Sequence, residues 1–502
     1  MPSLDDRYAQ LVTALRAQAD LTDVIQLLEW DQETVMPAGA IDRRARQIGA
    51  LAALLHEGQT APRFLALVDQ LSADLPRLAP EQAVDVRETK WRVDRQRRLA
   101  PGLVRERSTL HAQARAVWVH ARRHNDFATL APWLKQVVEI ERRVAAAIDS
   151  SRSAYDVLLE EYEPGTTAAA LEQLFGVLRQ GLAPLVGRLN ARLAAGPLHT
   201  DALRGEFSIE AQRRFNRAVA ERLGFDFNKG RLDEAEHPFT TCVGDDVRIT
   251  TRYASNDMRY ALYSTVHETG HALYEQGLDS EAWGTPRASA CSFGIHESQS
   301  RLWENRVARS QAFWQQILPL AYDLFPSLRK QSLHGIVAAA NEARPSLIRT
   351  EADEITYNLH IVLRFELERA LLDGSLEVAA LPQVWREKMR EYLGIEPSTD
   401  RDGVLQDVHW AGGSIGYFPS YALGNLYAAQ LVEAAEAEIG SIDALVAAGE
   451  FGVLLNWLRT HVHRWGQTFR PADLVRHATG RPPTPAPLLD YLEARLAFLE
   501  SI

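Results

Sequence analysis

The chain has 502 residues, 46% of them hydrophobic and 24% charged, which is the composition of an ordinary globular protein. Its formal net charge of -11, without any Lys/Arg-rich run, argues against a nucleic-acid partner, because phosphate backbones attract positive surfaces. Cys242 and Cys291 are too few for a disulfide framework, and we assign them no chemistry. The start lacks the pattern of a secretory signal, and no apolar run reaches about 18 residues, so we expect a cytoplasmic protein without membrane association.

Residues 4–230 are predicted to be mostly helical, because apolar residues recur at intervals of three and four. The pattern changes at 237–253, where apolar or β-branched residues alternate with polar ones over 247–253 and Gly244-Asp245-Asp246 can form a turn between two β-rich runs, which predicts a β-hairpin. Helical periodicity resumes after a cap at 255–257 and ends near Gly277. The fold class is therefore mainly α with a small β element. Further helices are expected at 292–318, 334–372, 383–393, 420–438 and 484–500.

Residues 267–271 read HETGH. On a helix, His267 and His271 would lie on one face with Cβ atoms about 5–6 Å apart, so both imidazoles could reach one ion. A catalytic zinc ion keeps three protein ligands and an open position, and it lowers the pKa of water there to about 7. Glu268, beside that position, would take the proton and pass it to the leaving amine. The alternative is an ordinary helix face, and a third ligand would distinguish the two.

Glu297, in the segment FGIHESQSRLWEN, is the candidate third ligand, because a carboxylate completes a His2Glu site. His296 could compete, but its side chain would point about 100° away around the same helix. Peptidases of this kind often carry an Asp four residues after the ligand Glu, where it supports a metal-bound histidine. Arg301 stands at that position here, so we expect the support from Glu304 or Asp353.

Six motifs stand in order along the chain, preceded by WDQETVMP at 30–37. They are HPF at 237–239, D-x-R-x-T at 246–250, HETGH at 267–271, HESQ at 296–299, IRTEAD at 348–353 and GVLQDVHW at 403–410. With these motifs the sequence resembles the carboxypeptidase Taq family of metallocarboxypeptidases along nearly its whole length.

The resemblance implies removal of single amino acids from peptides with a free carboxyl terminus, with broad side-chain tolerance. It implies one peptidase domain over 1–502, a large single helical body in which two lobes flank a deep active-site groove, with the metal site within 237–421. The architecture would be similar to that of neurolysin and the angiotensin-converting enzymes. A homodimer is implied, with one Zn2+ per chain and Co2+ or Mn2+ as possible substitutes.

Arg349 and Arg248 are our candidates for binding the substrate carboxylate, because a guanidinium makes two parallel hydrogen bonds to it. For Arg349 the alternative is an ion pair with Asp353. The hairpin could add an extended peptide as a further strand, with His237 near the substrate. Gln406 could hydrogen-bond the substrate backbone or terminus.

His409, Tyr417 and Tyr421 lie in QDVHWAGGSIGYFPSY, which has too many helix breakers for a regular helix before its end. As hydrogen-bond donors they could stabilise the oxyanion of the tetrahedral intermediate. Ordinary packing is the alternative for each of them singly. As a group they predict a catalytic loop, with His409 and Tyr421 as its catalytic members.

Two other functions compete with a carboxypeptidase. An oligopeptidase or dipeptidyl carboxypeptidase would use the same metal centre in a differently closed groove. A catalytically silent peptide-binding protein would retain only the fold. Glu268 argues against the silent protein, because metal binding alone requires no general base.

Overall fold

The computed structural model describes residues 2–196, 198 and 200–502 and is mainly helical, as predicted. Among these residues no helix combines the length and apolarity needed to cross a membrane. A π-helical segment, Leu302–Ala308, continues directly from the helix before it. The α-helices and strands in chain order are α1 (Leu4–Thr34), α2 (Ile41–Thr60), α3 (Pro62–Ala73), α4 (Pro80–Arg97), α5 (Pro101–His124), α6 (Phe127–Asp149), α7 (Ala154–Leu159), α8 (Ala168–Ala195), α9 (Ile209–Leu223), β1 (Gly230–Glu234), β2 (Thr240–Val243), β3 (Asp246–Thr251), α10 (Met258–Glu275), α11 (Phe293–Arg301), α12 (Gln311–Leu324), α13 (Leu333–Ala340), α14 (Glu354–Asp373), α15 (Leu381–Leu393), α16 (Pro419–Ile439), α17 (Ile442–Ala447), α18 (Phe451–His461), α19 (Pro471–Thr479) and α20 (Ala486–Glu500).

The chain forms two compact units, each assembled from three stretches of sequence. Both units therefore depend on contacts between residues that are far apart in the chain. The first unit comprises the described residues of Met1–Asp94, Thr200–Ala340 and Leu431–Pro482, and the second those of Arg95–His199, Asn341–Gln430 and Pro483–Ile502.

In the first unit, an apolar cluster forms where α1, α3 and α4 meet, around Leu11, Val68 and Val86. The sheet of this unit has the order β1-β3-β2, with β1 parallel and β2 antiparallel to β3. Because β2 lies at an edge, one of its sides carries no strand. The predicted hairpin is confirmed as β2 and β3, whereas β1 was not predicted.

In the second unit, α8 packs against α14 and α20. Phe365 on α14 meets Phe175 and Tyr155 edge-on, at ring-centroid distances of 5.2 and 5.6 Å. Arg364, next to Phe365, is fully buried. A fully buried guanidinium requires partners, and these are described below.

Two of the predicted helices are interrupted. The helix predicted at 334–372 is α13 and α14 separated by an irregular segment, because Pro345 lacks a donor and clashes with a preceding helical turn. The helix predicted at 292–318 passes through the π-helical segment and a break before α12. The prediction also omitted α17, α18 and α19.

Candidate metal centre

Helix α10 carries the HETGH motif and packs closely against α11. Asp257 caps its start by accepting a hydrogen bond from the backbone of Arg259. A Cβ placed on Gly270 would lie 2.6 Å from both the carbonyl oxygen of Gln299 and the Cα of Ser300. Only glycine lets the two helices approach to this distance, and that approach brings the residues of α11 to the histidines of α10.

His267, His271 and Glu297 come together as the sequence predicted, with one ligand atom from each residue lying within 4.8 Å of the others. Glu297 Oε2 is 3.5 Å from His267 Nε2 and 3.4 Å from His271 Nε2. Arg301 Nε donates to Glu297 Oε1 at 2.7 Å, which leaves Oε2 turned toward the imidazoles. The donor set and its spacing fit a divalent cation held by two imidazoles and one carboxylate.

The surroundings shift the pKa values of Glu297, His271 and His267 in different directions. Although burial opposes it, Arg301 and the two histidines hold the pKa of Glu297 well below its usual range. Burial and the neighbouring His296 lower the pKa of His271 to about 3, so this ring is neutral. Burial also acts on His267, but Glu297 and Glu304 outweigh it and raise its pKa. A carboxylate anion and a neutral imidazole are the forms that bind metals.

Glu304 lies on the π-helical segment and supports His267. Its Oε2 is 2.9 Å from His267 Nδ1, on the opposite side of the ring from Glu297. Arg301 and Arg309 also contact Glu304, at 3.4 and 2.8 Å. The structure therefore selects Glu304 from the two predicted supports, in a carboxylate-histidine arrangement common at zinc sites.

Asp353, the other predicted support, has a different role. Its carboxylate caps α14 by accepting hydrogen bonds from the backbone of Ile355 and Thr356 and from the Thr356 hydroxyl. The alternative pairing of Arg349 with Asp353 is therefore wrong, because Asp353 is engaged as a helix cap and Arg349 pairs with Asp407.

Glu268 is buried beside the ligand histidines, and burial raises its pKa. The hydroxyl of Thr240, on the edge strand β2, lies 2.6 Å from Glu268 Oε2 and 3.1 Å from its backbone oxygen. The sequence analysis did not single out Thr240. Its position beside the HPF motif was the available signal.

Arg248 and His237 belong to the same unit as the metal centre. Arg248 donates to Asp246 Oδ2 at 2.9 and 2.6 Å, and its guanidinium stacks over Trp30 at 4.2 Å from the ring centroid. Trp30 thereby connects the WDQETVMP segment to D-x-R-x-T. His237 is exposed, between β1 and β2.

In the second unit, Arg349, Arg364 and Asp407 form what we call the arginine cluster. Asp407 Oδ1 accepts from Arg349 at 3.2 and 3.1 Å, and Asp407 Oδ2 accepts from Arg364 at 2.7 and 2.5 Å. The two guanidiniums hold the pKa of Asp407 well below its usual range, although burial opposes this. Two cations share one carboxylate, so the cluster has excess positive charge.

Gln406 hydrogen-bonds both arginines of the arginine cluster. Its Oε1 accepts from the Arg349 backbone and from the Arg364 guanidinium, each at 2.9 Å. Its Nε2 donates to backbone oxygens of Leu347, Asp402 and Gly403. Because both ends of the amide are engaged within the protein, the predicted role of Gln406 in hydrogen-bonding a substrate is replaced by one in positioning the two arginines.

His409, Tyr417 and Tyr421 lie together near the same cluster. His409 stacks on Tyr417 at a centroid distance of 5.5 Å, and Tyr421 lies under the Arg349 guanidinium at 4.9 Å. Burial, together with the two arginines, lowers the pKa of His409 to about 4, so the ring is neutral at pH 7. The preceding segment is irregular, as predicted, and Tyr421 is in the first turn of α16.

Comparison with known proteins identifies the family. The model of the carboxypeptidase Taq (M32) metallopeptidase family matches residues 10–496. This chain belongs to that family.

Individual relatives agree with this assignment over nearly full length. Thermostable carboxypeptidase 1 of Thermus thermophilus is 43% identical, over 98% of both chains. Carboxypeptidase 1 of Bacillus subtilis is 38% identical, over 97% of both. The crystal structure of the M32 carboxypeptidase from Deinococcus radiodurans R1 matches with a TM-score of 0.95 and 41% identity, covering 99% of this chain and 100% of that one.

Membership of the M32 family supports a metallocarboxypeptidase function and implies a divalent metal. His267, His271 and Glu297 are the described residues that could hold it. Two members of the arginine cluster, Arg364 and Asp407, were missed by the sequence analysis. Asp407 stands inside the GVLQDVHW motif, which was the signal for it, whereas Arg364 had none.

Proposed function

We propose that this metallocarboxypeptidase is zinc-dependent and removes one residue at a time, with broad specificity, from peptides with a free carboxyl terminus. The observation that carries the proposal is the group of His267, His271 and Glu297 with a buried carboxylate, Glu268, next to it. Co2+ and Mn2+ are possible substitutes for zinc.

Glu268 is the proposed general base. A bound zinc ion would act as a Lewis acid and make water more acidic at the site. Thr240 engages Oε2 of Glu268, so we assign proton transfer to Oε1. Oε1 takes a proton from the attacking water and delivers it to the nitrogen of the leaving amino acid. Burial, which raises the pKa of Glu268, favours the proton-carrying intermediate state of this carboxylate.

The arginine cluster supplies charge for recognising a substrate carboxylate. Arg349 and Arg364 share the single carboxylate of Asp407, and the excess positive charge can attract a second carboxylate. We propose that Arg349 makes this contact. Gln406 and Arg364 hold it in position.

His409 and Tyr421 are proposed to stabilise the oxyanion of the tetrahedral intermediate, with Tyr417 in substrate binding. His237 and Arg248 are proposed to contact the peptide, and the edge strand β2 to pair with its main chain. Main-chain pairing does not depend on the side chains of the substrate, which fits broad specificity.

Further properties are proposed. A cytoplasmic location is proposed because the chain has only two cysteines, Cys242 and Cys291. A homodimer and the following architecture are proposed on family resemblance. Each chain would form a single peptidase domain over 1–502, with two lobes flanking a deep groove, similar to neurolysin and the angiotensin-converting enzymes.

Digestion of one peptide in two forms tests the function. A peptide with a free carboxyl terminus should release single amino acids in sequence, whereas its carboxyl-amidated form should be cleaved much more slowly. Timed mass spectrometry of both digests provides the measurement. Equal cleavage of the amidated form, or release of dipeptides, would favour the oligopeptidase alternative.

Metal analysis tests the identity of the cofactor. Combined with activity assays, it also tests the alternative of a peptide-binding protein without catalysis. Zinc should be bound at one ion per chain, and stripping with a chelator should abolish turnover that added zinc restores. Absence of turnover after supply of zinc, cobalt or manganese would favour a peptide-binding protein without catalysis.

A further inference from the structure

The two ligand histidines have different partners on their outer nitrogens. Both rings turn Nε2 toward Glu297. The Nδ1 of His267 faces a carboxylate, that of Glu304, at 2.9 Å. The Nδ1 of His271 instead faces another imidazole nitrogen, Nδ1 of His296, at 2.5 Å.

A contact between two imidazole nitrogens needs one proton, and the proton must belong to a defined ring. To bind a cation through the Nε2 lone pair, neutral His271 must carry its proton on Nδ1. That N–H then donates, so His296 must offer a lone pair at its own Nδ1. With a lone pair at Nδ1, His296 carries its proton on Nε2, which is 2.7 Å from Glu275 Oε1.

We infer that His296 and Glu275 are positioning residues that hold His271 in the tautomer whose Nε2 can bind the metal. The hydrogen bonds run from His271 to His296 and from His296 to Glu275, and every donor meets an acceptor. If His296 donated through Nδ1, the proton of His271 would have to move to Nε2 and would block that ligand atom. The carboxylate of Glu275 opposes this reversal by keeping a proton on His296 Nε2.

Two neighbouring helices, α10 and α11, supply these residues. Glu275 is four residues after His271 and therefore lies on the same stripe of α10. His296 precedes Glu297 on α11 and points to the other side of the metal centre, so it can reach both His271 and Glu275. The ring of Tyr274 meets His296 at a centroid distance of 5.3 Å and limits its rotation.

This inference rests on the proposed metal site and is tested through zinc affinity, measured by chelator competition on the metal-free protein at one fixed pH. His296→Leu removes the acceptor and should weaken zinc binding about 10–100-fold, the range typical of such supporting residues. His296→Asn places an amide oxygen near the position of Nδ1 and should retain affinity within a few-fold. Glu275→Leu should weaken binding, whereas Glu275→Gln, which keeps an acceptor for His296 Nε2, should weaken it less.

The controls separate a failure of the inference from a failure of the proposed function. Glu304→Gln acts on the other histidine and gives the loss expected for a direct support. Thermal unfolding of each metal-free variant shows whether it is folded. Wild-type zinc affinity in His296→Leu, or equal losses in the Asn and Leu variants, would overturn the positioning role. A wild-type protein that binds no zinc would instead overturn the proposed metal site itself.

Discussion

The metal centre and the arginine cluster both combine buried carboxylates with guanidiniums, but carboxylates are in excess in the first and guanidiniums in the second. Around the metal centre, the carboxylates of Glu268, Glu297 and Glu304 outnumber the guanidiniums of Arg301 and Arg309 that contact them. In the arginine cluster, two buried guanidiniums share one carboxylate. The first arrangement suits a cation and the second suits an anion. In the proposed function, the first would hold the metal ion and the second would attract the carboxylate of the substrate.

The two regions also differ in how the oxygens of their carboxylates are hydrogen-bonded to the neighbouring arginines. In the metal centre, Arg301 donates to Oε1 of Glu297, whereas Oε2 accepts from the Ser300 hydroxyl and lies 3.5 Å from Nε2 of His267. In the arginine cluster, both oxygens of Asp407 are used, and both guanidiniums lie over aromatic rings. The Arg349 guanidinium also donates to the Tyr357 hydroxyl at 3.2 Å, so its availability to a substrate carboxylate rests on the excess positive charge of the cluster and not on an unused donor.

The largest effect is expected from Glu268→Gln, which keeps the shape of the side chain but removes the base. Turnover should fall about 10²–10⁴-fold, the usual contribution of general acid-base catalysis. Zinc content should be unchanged, because the three ligands are intact. Steady-state kinetics and metal analysis of the same preparation measure both quantities. Retained turnover would remove Glu268 from the mechanism, and lost zinc would make its role structural.

Arg349→Lys tests whether the arginine cluster binds the carboxylate of the substrate. Lysine keeps the charge but loses the planar fork, so we expect kcat/KM on free carboxyl termini to fall about 10–100-fold, as for loss of a charged hydrogen bond. The slow cleavage of the amidated peptide should change little. Arg369→Lys is the matched control, since Arg369 is on α14 and pairs with Glu172. An equal decrease on both peptides would exclude carboxylate recognition.

Gly270→Ala tests whether close helix packing builds the metal centre. The added methyl group would lie 2.6 Å from backbone atoms of α11, and overpacking of this kind costs about 1–3 kcal/mol. We expect a lower melting temperature and weaker zinc binding. Gly187→Ala, on α8 with no atom within 4 Å of the new Cβ, is the control and should be neutral or stabilising. Equal melting temperatures in the two variants would contradict this account.

The smallest effect is expected at Thr240. Thr240→Val preserves the shape but loses the hydrogen bond to Glu268, so kcat should fall about 2–10-fold with little change in KM. Thr240→Ser should recover most of the loss. If the Ser and Val variants were equally impaired, the methyl packing of Thr240, and not its hydroxyl, would be responsible.

Much of the metal centre could be predicted because its information is local. His267 and His271 need only a helix to face one ion, and Glu297 needs only a second helix nearby. What could not be predicted depends on packing between distant segments. The pairing of His296 with His271 requires the contact between α10 and α11 that Gly270 permits.

The arginine cluster shows the same limit more strongly. Asp407 is 58 residues from Arg349 and 43 from Arg364, so neither partnership has a signature in local spacing. The pairing of Arg349 with Asp353 was a reasonable local expectation that a helix cap overrides. The break at Pro345, in contrast, had a local signal, because proline removes a helical donor, but the prediction of one helix over 334–372 did not use it.

The π-helical segment makes the spacing between Glu297 and Glu304 intolerant of length changes. Its wider turns use more residues per rotation than an α-helix does. Deleting one residue between Glu297 and Glu304 would move Glu304 to the preceding position of the helix. The contact between Glu304 and His267 would then be lost, although none of the three candidate ligands had been altered. Within this family, alignments of the segment should therefore vary in residue type but keep a constant length.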